Sequence, residues 1–159
     1  MPKYGFTAVG PKELSFGSDG NWYADDEVIG NERIALLFSS HVRADDEHGW
    51  VIDLGVDCQP FRVVDTPLVV RRVDGDPDTG LAVRTNDGVS SPLELDSLVV
   101  GAGEVLYCTV DRGDRGRIPA RFLRPAYYQL AAHMEPSADG FVLRSRDRSV
   151  TVTRAGGSS

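Results

Sequence analysis

The chain has 159 residues, of which 41% are hydrophobic and 26% charged, with a formal net charge of −7. That composition is ordinary for a soluble globular domain, and no apolar run approaches the roughly 18 residues a membrane helix needs. The length allows one respectable core, or two small ones that share an interface.

The opening Met1-Pro2-Lys3-Tyr4-Gly5-Phe6 lacks the apolar core of a signal peptide, so the cytoplasm is the expected compartment. Residues 1–11, rich in Gly, Pro and Thr, are expected to form an extended or loosely held arm. Leu14-Ser15-Phe16 and Trp22-Tyr23 flank a Gly/Asp/Asn turn and predict a hairpin. Asn31 is the expected N-cap of a helix over 32–42, with Ile34, Leu37, Phe38, His41 and Val42 as its buried stripe. Strands are predicted at 49–55 and 60–64. Leu68 to Val73 and Leu81 to Thr85 read as a hairpin around the acidic turn Asp74 to Gly80, and Asn86-Asp87-Gly88 turns again. Val105 to Val110 is the most β-prone run. A helix over 118–133 is predicted next, with Pro119 in its first turn and Pro125 kinking or breaking it. Phe141 to Arg144 and Ser149 to Thr153 make a last hairpin before a tail, 156–159, expected to be disordered.

Two stretches echo one another. Phe38-Ser39-Ser40-His41-Val42 and Gly49-Trp50-Val51-Ile52 return as Leu130-Ala131-Ala132-His133-Met134 and Gly140-Phe141-Val142-Leu143, offset by 92 and then 91 residues. Each reads as a helix end, a polar turn and a strand opening on an aromatic. This predicts two packed copies of one unit, with Trp50 and Phe141 buried at equivalent positions and a groove between the copies. Helices segregated from antiparallel hairpins indicate the α+β class. The expected division is an N-terminal subdomain over 1–64 and a β-rich subdomain over 65–155.

Charge is divided unevenly. Residues 1–111 carry 8 basic and 20 acidic side chains (−12), whereas 112–159 carry 9 arginines and 4 acids (+5). The basic end either pairs with the acidic part or meets an anionic partner. Arg112-Gly113-Asp114-Arg115-Gly116-Arg117, with Arg121, Arg124, Tyr127 and Tyr128, is the best binding candidate. It places guanidinium groups and aromatics just before a predicted helix N-terminus, where anions are held. Arg115, Arg117, Arg121 and Arg124 are expected to line the groove.

The remaining constellations point to no chemistry. Asp74 to Gly80 resembles a calcium loop, but its glycine falls at position 7 and Thr85 stands where a bidentate Glu is needed. Asp45-Asp46-Glu47-His48 and Asp25-Asp26-Glu27 could offer metal ligands, but ligands adjacent in sequence do not easily converge on one ion, so they read as solvated loops and helix-flanking charge favourable near helix N-termini. His41 and His133 are expected to cap helix carbonyls, and Cys58 and Cys108 to be buried free thiols. Nucleophile-elbow, zinc, Walker and dinucleotide motifs are absent, and neither cofactor nor metal is expected.

Gly20 to Tyr23 with Ile29 to Phe38, Val63 to Val70, Arg84 to Asp87 and Ala120 to Leu130 occur in an order that resembles the bacterial proteins called domain of unknown function 1285. The resemblance implies a duplicated α+β arrangement whose C-terminal half is similar to a pleckstrin-homology-like barrel capped by a helix. It implies a signalling or binding role with a protein or nucleic-acid partner. The leading expectation is a non-enzymatic binding or adaptor module for a protein or small anionic ligand, with no membrane association. The alternatives are an enzyme using His41, His133 and interface carboxylates, and a nucleic-acid binder, which net charge disfavours.

Overall fold

The computed structural model describes residues 13–55 and 57–152, so the expected N-terminal arm and C-terminal tail lie outside the described residues. Strands β1 (Leu14–Phe16), β2 (Trp22–Ala24) and β3 (Glu27–Val28) lead into helix α1 (Glu32–Ser40), followed by β4 (Val42–Asp45), β5 (Gly49–Asp53), β6 (Cys58–Pro60) and β7 (Arg62–Val63). Then come β8 (Leu68–Asp76), β9 (Gly80–Thr85), β10 (Ser90–Pro92), β11 (Val99–Val100), β12 (Leu106–Asp111) and β13 (Arg117–Phe122). Helix α2 (Arg124–Ala131) and strands β14 (Glu135–Ser137), β15 (Gly140–Ser145) and β16 (Arg148–Val152) complete the α+β fold. No helix among the described residues is long and apolar enough to cross a membrane.

The sheets run β3-β2-β1-β7, β4-β5-β6, β10-β9-β8-β13-β12-β11 and β14-β15-β16. The β1–β7 and β8–β13 pairs are parallel. No described sheet crosses residue 64, yet one apolar cluster runs through the whole fold, from Leu14 to Val152. At its centre Trp22 packs on Phe16, Phe38 and Phe61, with ring centroids 4.9, 5.4 and 4.7 Å away. Leu68, Val69 and Val70 are buried in succession because β8 is covered on both faces.

Helix α1 begins as predicted: Asn31 Oδ1 accepts from the N–H groups of Arg33 (2.9 Å) and Ile34 (3.1 Å). Its buried stripe is rotated from the expected one. Leu37 is 43% exposed, while Ser39 is buried. The cause is polar. Ser39 Oγ accepts from Trp22 Nε1 (2.9 Å) and Asn86 Nδ2 (2.7 Å), which turns Ser39 to the core and Leu37 outward.

The predicted helix over 118–133 is two elements. Ile118, Ala120 and Phe122 are buried with part-buried Pro119 and Arg121 between them, the period of a strand. Pro119 is accommodated because the pairing of β13 with β8 starts only at Ala120. Pro125 kinks nothing. It lies in the first turn of α2, where its fixed φ suits the helix and no N–H is missed.

The two echoing stretches adopt the same order, a helix followed by a three-stranded antiparallel sheet. Phe38 and Leu130 are buried at corresponding places, as are Ile52 and Leu143. The β4–β5 turn spans 46–48 and the β14–β15 turn 138–139, which accounts for the change of offset. The aromatics differ. Trp50 packs partly against the core, but Phe141 is 50% exposed, at the end of its strand beyond Leu143. Cys58 also departs from expectation: it is exposed on the short edge strand β6.

Candidate functional site

The arginine segment does not precede a helix; it joins β12 to β13. Arg112 is the most enclosed of its side chains. Its Nε donates to Asp87 Oδ2 at 2.8 Å, the two side chains being 4% and 0% exposed. Thr85 Oγ1 and Arg115 Nη1 (3.2 Å) donate to the same carboxylate. Burial alone would raise the Asp87 pKa. The Arg112 and Thr85 hydrogen bonds and the charges of Arg112 and Arg115 outweigh it and hold the carboxyl below its ordinary value. Arg115 also donates to Val42 O (2.9 Å) and Ser39 O (2.8 Å), so it stitches this loop to the end of α1. Arg117 grips Glu94 with two hydrogen bonds, 2.7 and 3.2 Å long. Arg144 and Arg148 pair with Asp78 and Asp96. The basic end of the chain therefore satisfies much of its charge internally, on carboxylates between residues 65 and 96.

Four of the six candidate residues come together elsewhere. Arg121 from β13 and Arg124, Tyr127 and Tyr128 from α2 line a cleft of about 730 Å³. Ser18 and Asp19, from the β1–β2 turn, close its opposite wall, so the cleft lies between the two parts of the chain. Leu106, Phe122 and Leu123 give it an apolar floor. Arg121 is held by Asp65 (2.8 Å), which also accepts from Tyr107 Oη (2.9 Å). Arg124 forms no ion pair among the described residues, and its guanidinium reaches only Tyr128 Oη, at 3.4 Å. Arg115 and Arg117 do not line this cleft. Its two carboxylates are Asp19 and Glu104, and Asp19 already accepts from Tyr23 Oη (2.6 Å), Asn21 N (3.0 Å) and Asn21 Nδ2 (3.2 Å).

The helix beginning at this cleft has no side-chain cap. Its first N–H groups thus lack an intrahelical partner and add positive partial charge beside Arg121 and Arg124. The cleft combines two guanidinium groups, a helix N-terminus, two phenol rings and an apolar floor. That set suits an anionic group attached to an apolar or extended body.

The histidines lie apart from it. His41 Nδ1 donates to Leu37 O (2.8 Å) at the end of α1, the expected capping role. His48 Nδ1 meets Asp45 Oδ2 (2.8 Å) in an exposed turn, where the same oxygen accepts from the His48 and Glu47 N–H groups. Burial pushes the Cys108 thiol up to about 12, which makes it an inert core side chain. Asp74 to Gly80 is a strand-to-strand turn, with Asp76 Oδ1 accepting from the N–H groups of Asp78 and Thr79, 2.8 Å each. The described residues hold no cluster of three metal-ligating side chains.

No protein-family model matches the sequence, and no curated protein matches it. Two solved structures share its fold. A DUF1285 family protein from Shewanella baltica superposes with a TM-score of 0.59 at 18% identity, over 77% of this chain and 92% of that one. One from Silicibacter pomeroyi gives 0.65 at 17% identity, over 91% of this chain and 81% of that one. The chain has the fold of the DUF1285 proteins. The resemblance to DUF1285 read from the sequence and the shared fold point the same way. Six of the residues lining the cleft at α2, Arg121 to Arg124, Tyr127 and Tyr128, lie in the segment Ala120 to Leu130 that carried the resemblance.

Proposed function

We propose that this protein is a non-enzymatic binding module that holds an acidic or phosphorylated segment of a protein partner in the cleft at the start of α2. The observation that carries this reading is the convergence of Arg121, Arg124, Tyr127 and Tyr128 on one cleft, with Arg124 free of any ion pair among the described residues. Arginine suits the role because its planar fork grips carboxylate or phosphate with two parallel hydrogen bonds. The order helix then three-stranded sheet, met twice, supports reading the chain as a duplication, its second copy forming part of a pleckstrin-homology-like half. A cytoplasmic signalling adaptor is the role that fits.

The test uses an array of peptides bearing Asp/Glu runs or phosphorylated side chains, read by fluorescence anisotropy. Arg124→Ala removes no internal ion pair, so it should leave the melting temperature unchanged and weaken binding roughly tenfold or more, the scale of a lost charged hydrogen bond. Arg121→Ala should weaken it as well, and binding should fall with rising salt. Unchanged affinity in Arg124→Ala, or no binding by any acidic or phosphorylated peptide, overturns the reading.

A further inference from the structure

A second cleft, of about 360 Å³, lies on the other side of the β1–β2 turn. Ser18 and Asp19 face the α2 cleft, whereas Gly20 and Asn21 face this one. It too is shared between the two parts of the chain, with Trp22, Ile29, Ala35 and Leu36 on one side and Arg71 and Asn86 on the other.

Arg71 lies at a break in the β8–β9 ladder. Val70 pairs with Thr85 and Arg72 with Arg84, which leaves Arg71 as the extra residue of a bulge. Val69 and Arg71 both approach Gly20 of the β1–β2 turn, and the Arg71 guanidinium lines the cleft there. Arg71 Nη2 donates to Gly20 O (3.2 Å), and no carboxylate pairs with the guanidinium among the described residues. The wall behind it is rigid. Asn86 Oδ1 accepts from Val69 N (2.9 Å), while Asn86 Nδ2 and Trp22 Nε1 both donate to the buried Ser39 Oγ. Opposite, Leu36 and Val28 stand 48% and 56% exposed at the mouth.

We infer that this cleft binds a small organic monoanion, a carboxylate whose acid group meets Arg71 and whose short apolar part lies along Ile29, Ala35 and Leu36. The pocket is of small-molecule size, its lining mostly polar with an apolar strip from Ile29, Ala35 and Leu36. Arg71 is the one cation and Glu32 the one carboxylate in the described lining, so a second negative charge on the ligand would find no second cation and would meet Glu32. That balance favours a monoanion over a dianionic phosphate. The exposed leucine and valine gain by being covered.

The experiment follows the indole N–H resonance of Trp22 in the full chain, since only one of the two tryptophans lines this cleft. The probes are hexanoate, hexan-1-ol and inorganic phosphate. Hexanoate should shift the Trp22 signal saturably, and the other two more weakly. Arg71→Ala should cut hexanoate affinity roughly tenfold or more. Arg71→Gln keeps a hydrogen-bond donor for Gly20 O while removing the charge, and gives the same loss if the alanine variant folds poorly. No shift with hexanoate, an equal response to hexan-1-ol or phosphate, or undiminished binding in Arg71→Gln overturns the inference. Arg124 does not line this cleft, so failure here leaves the peptide-binding reading of the α2 cleft standing, and the reverse.

Discussion

Asp87 is the residue on which the second part of the chain closes. It belongs to the turn after β9, yet its carboxylate receives Arg112, Arg115 and Thr85, and Arg115 carries the connection on to Ser39 and Val42 near the end of α1. Both Arg112 and Asp87 are withdrawn from water, so neither tolerates losing the other. Removing one member of a buried pair leaves an uncompensated charge. Asp87→Ala is therefore expected to cost roughly 3–5 kcal/mol, measured as the change in free energy of unfolding in urea. The exposed Arg117–Glu94 pair is a control, since water screens an exposed ion pair and it contributes little. Glu94→Ala should shift the urea midpoint far less than Asp87→Ala. Equal losses would mean that Asp87 is no more than a surface partner.

At the scale of elements, the β1–β2 turn separates two clefts, and its conformation depends on Gly20. That residue has φ +85°, and a Cβ there would lie 2.9 Å from Val69 Cγ2 and 3.6 Å from Arg71 Nη2. Gly20→Ala should cost roughly 1–2 kcal/mol for the left-handed backbone, with more from crowding against Val69. It should also weaken peptide binding in one cleft and hexanoate binding in the other. A melting temperature equal to that of the parent chain would show that the turn relaxes without strain. The β8–β9 turn makes the opposite case. Asp76 serves the backbone of its own turn there, so millimolar calcium should leave the melting temperature unchanged; a rise that scales with calcium would show binding to the native state. The hairpins and α1 were legible in the sequence because turn residues, Asn31 and period-two apolar runs are local signals. The boundary at Arg124 was not. Ile118 to Phe122 carries an arginine and a proline that suit either element, and parallel pairing with β8, a long-range contact, decides for the strand. Arg121, Arg124, Tyr127 and Tyr128 could be grouped by spacing, but the part played by Ser18 and Asp19 could not, because only folding brings the β1–β2 turn to α2. Arg71 was hidden for a similar reason: Leu68 to Val73 reads as one continuous strand, and only folding brings Gly20 to it.

For the whole molecule, the response to pH is set by carboxyls that the fold holds below their ordinary value. The Asp87 carboxyl is lowered despite burial. Asp19 is lowered too, its Tyr23 and Asn21 hydrogen bonds exceeding the effect of burial, while Asp45 is lowered mainly by His48 and Asp76 mainly by the Thr79 N–H. A carboxyl whose pKa is lower in the folded than in the unfolded chain contributes stability above its unfolded value, about 3.9 for Asp, and loses it as the pH falls through the folded value. The folded state should accordingly hold a plateau of stability above about pH 5 and lose it on acidification below about pH 4. Among the four groups, Asp87 stands out by burial and by its two arginines, so it should supply a distinct share of the acid limb. Asp87→Asn keeps much of the shape and removes the charge. It should be less stable than the parent chain at pH 7, and the deficit should narrow as the pH falls below about 4, because protonation of the parent's Asp87 removes the same interaction. Urea midpoints measured for both chains between pH 7 and pH 3 provide the check. A deficit that stays constant across that range would mean the Asp87 carboxylate is not a source of the pH dependence, and that its role lies in the shape of the turn alone.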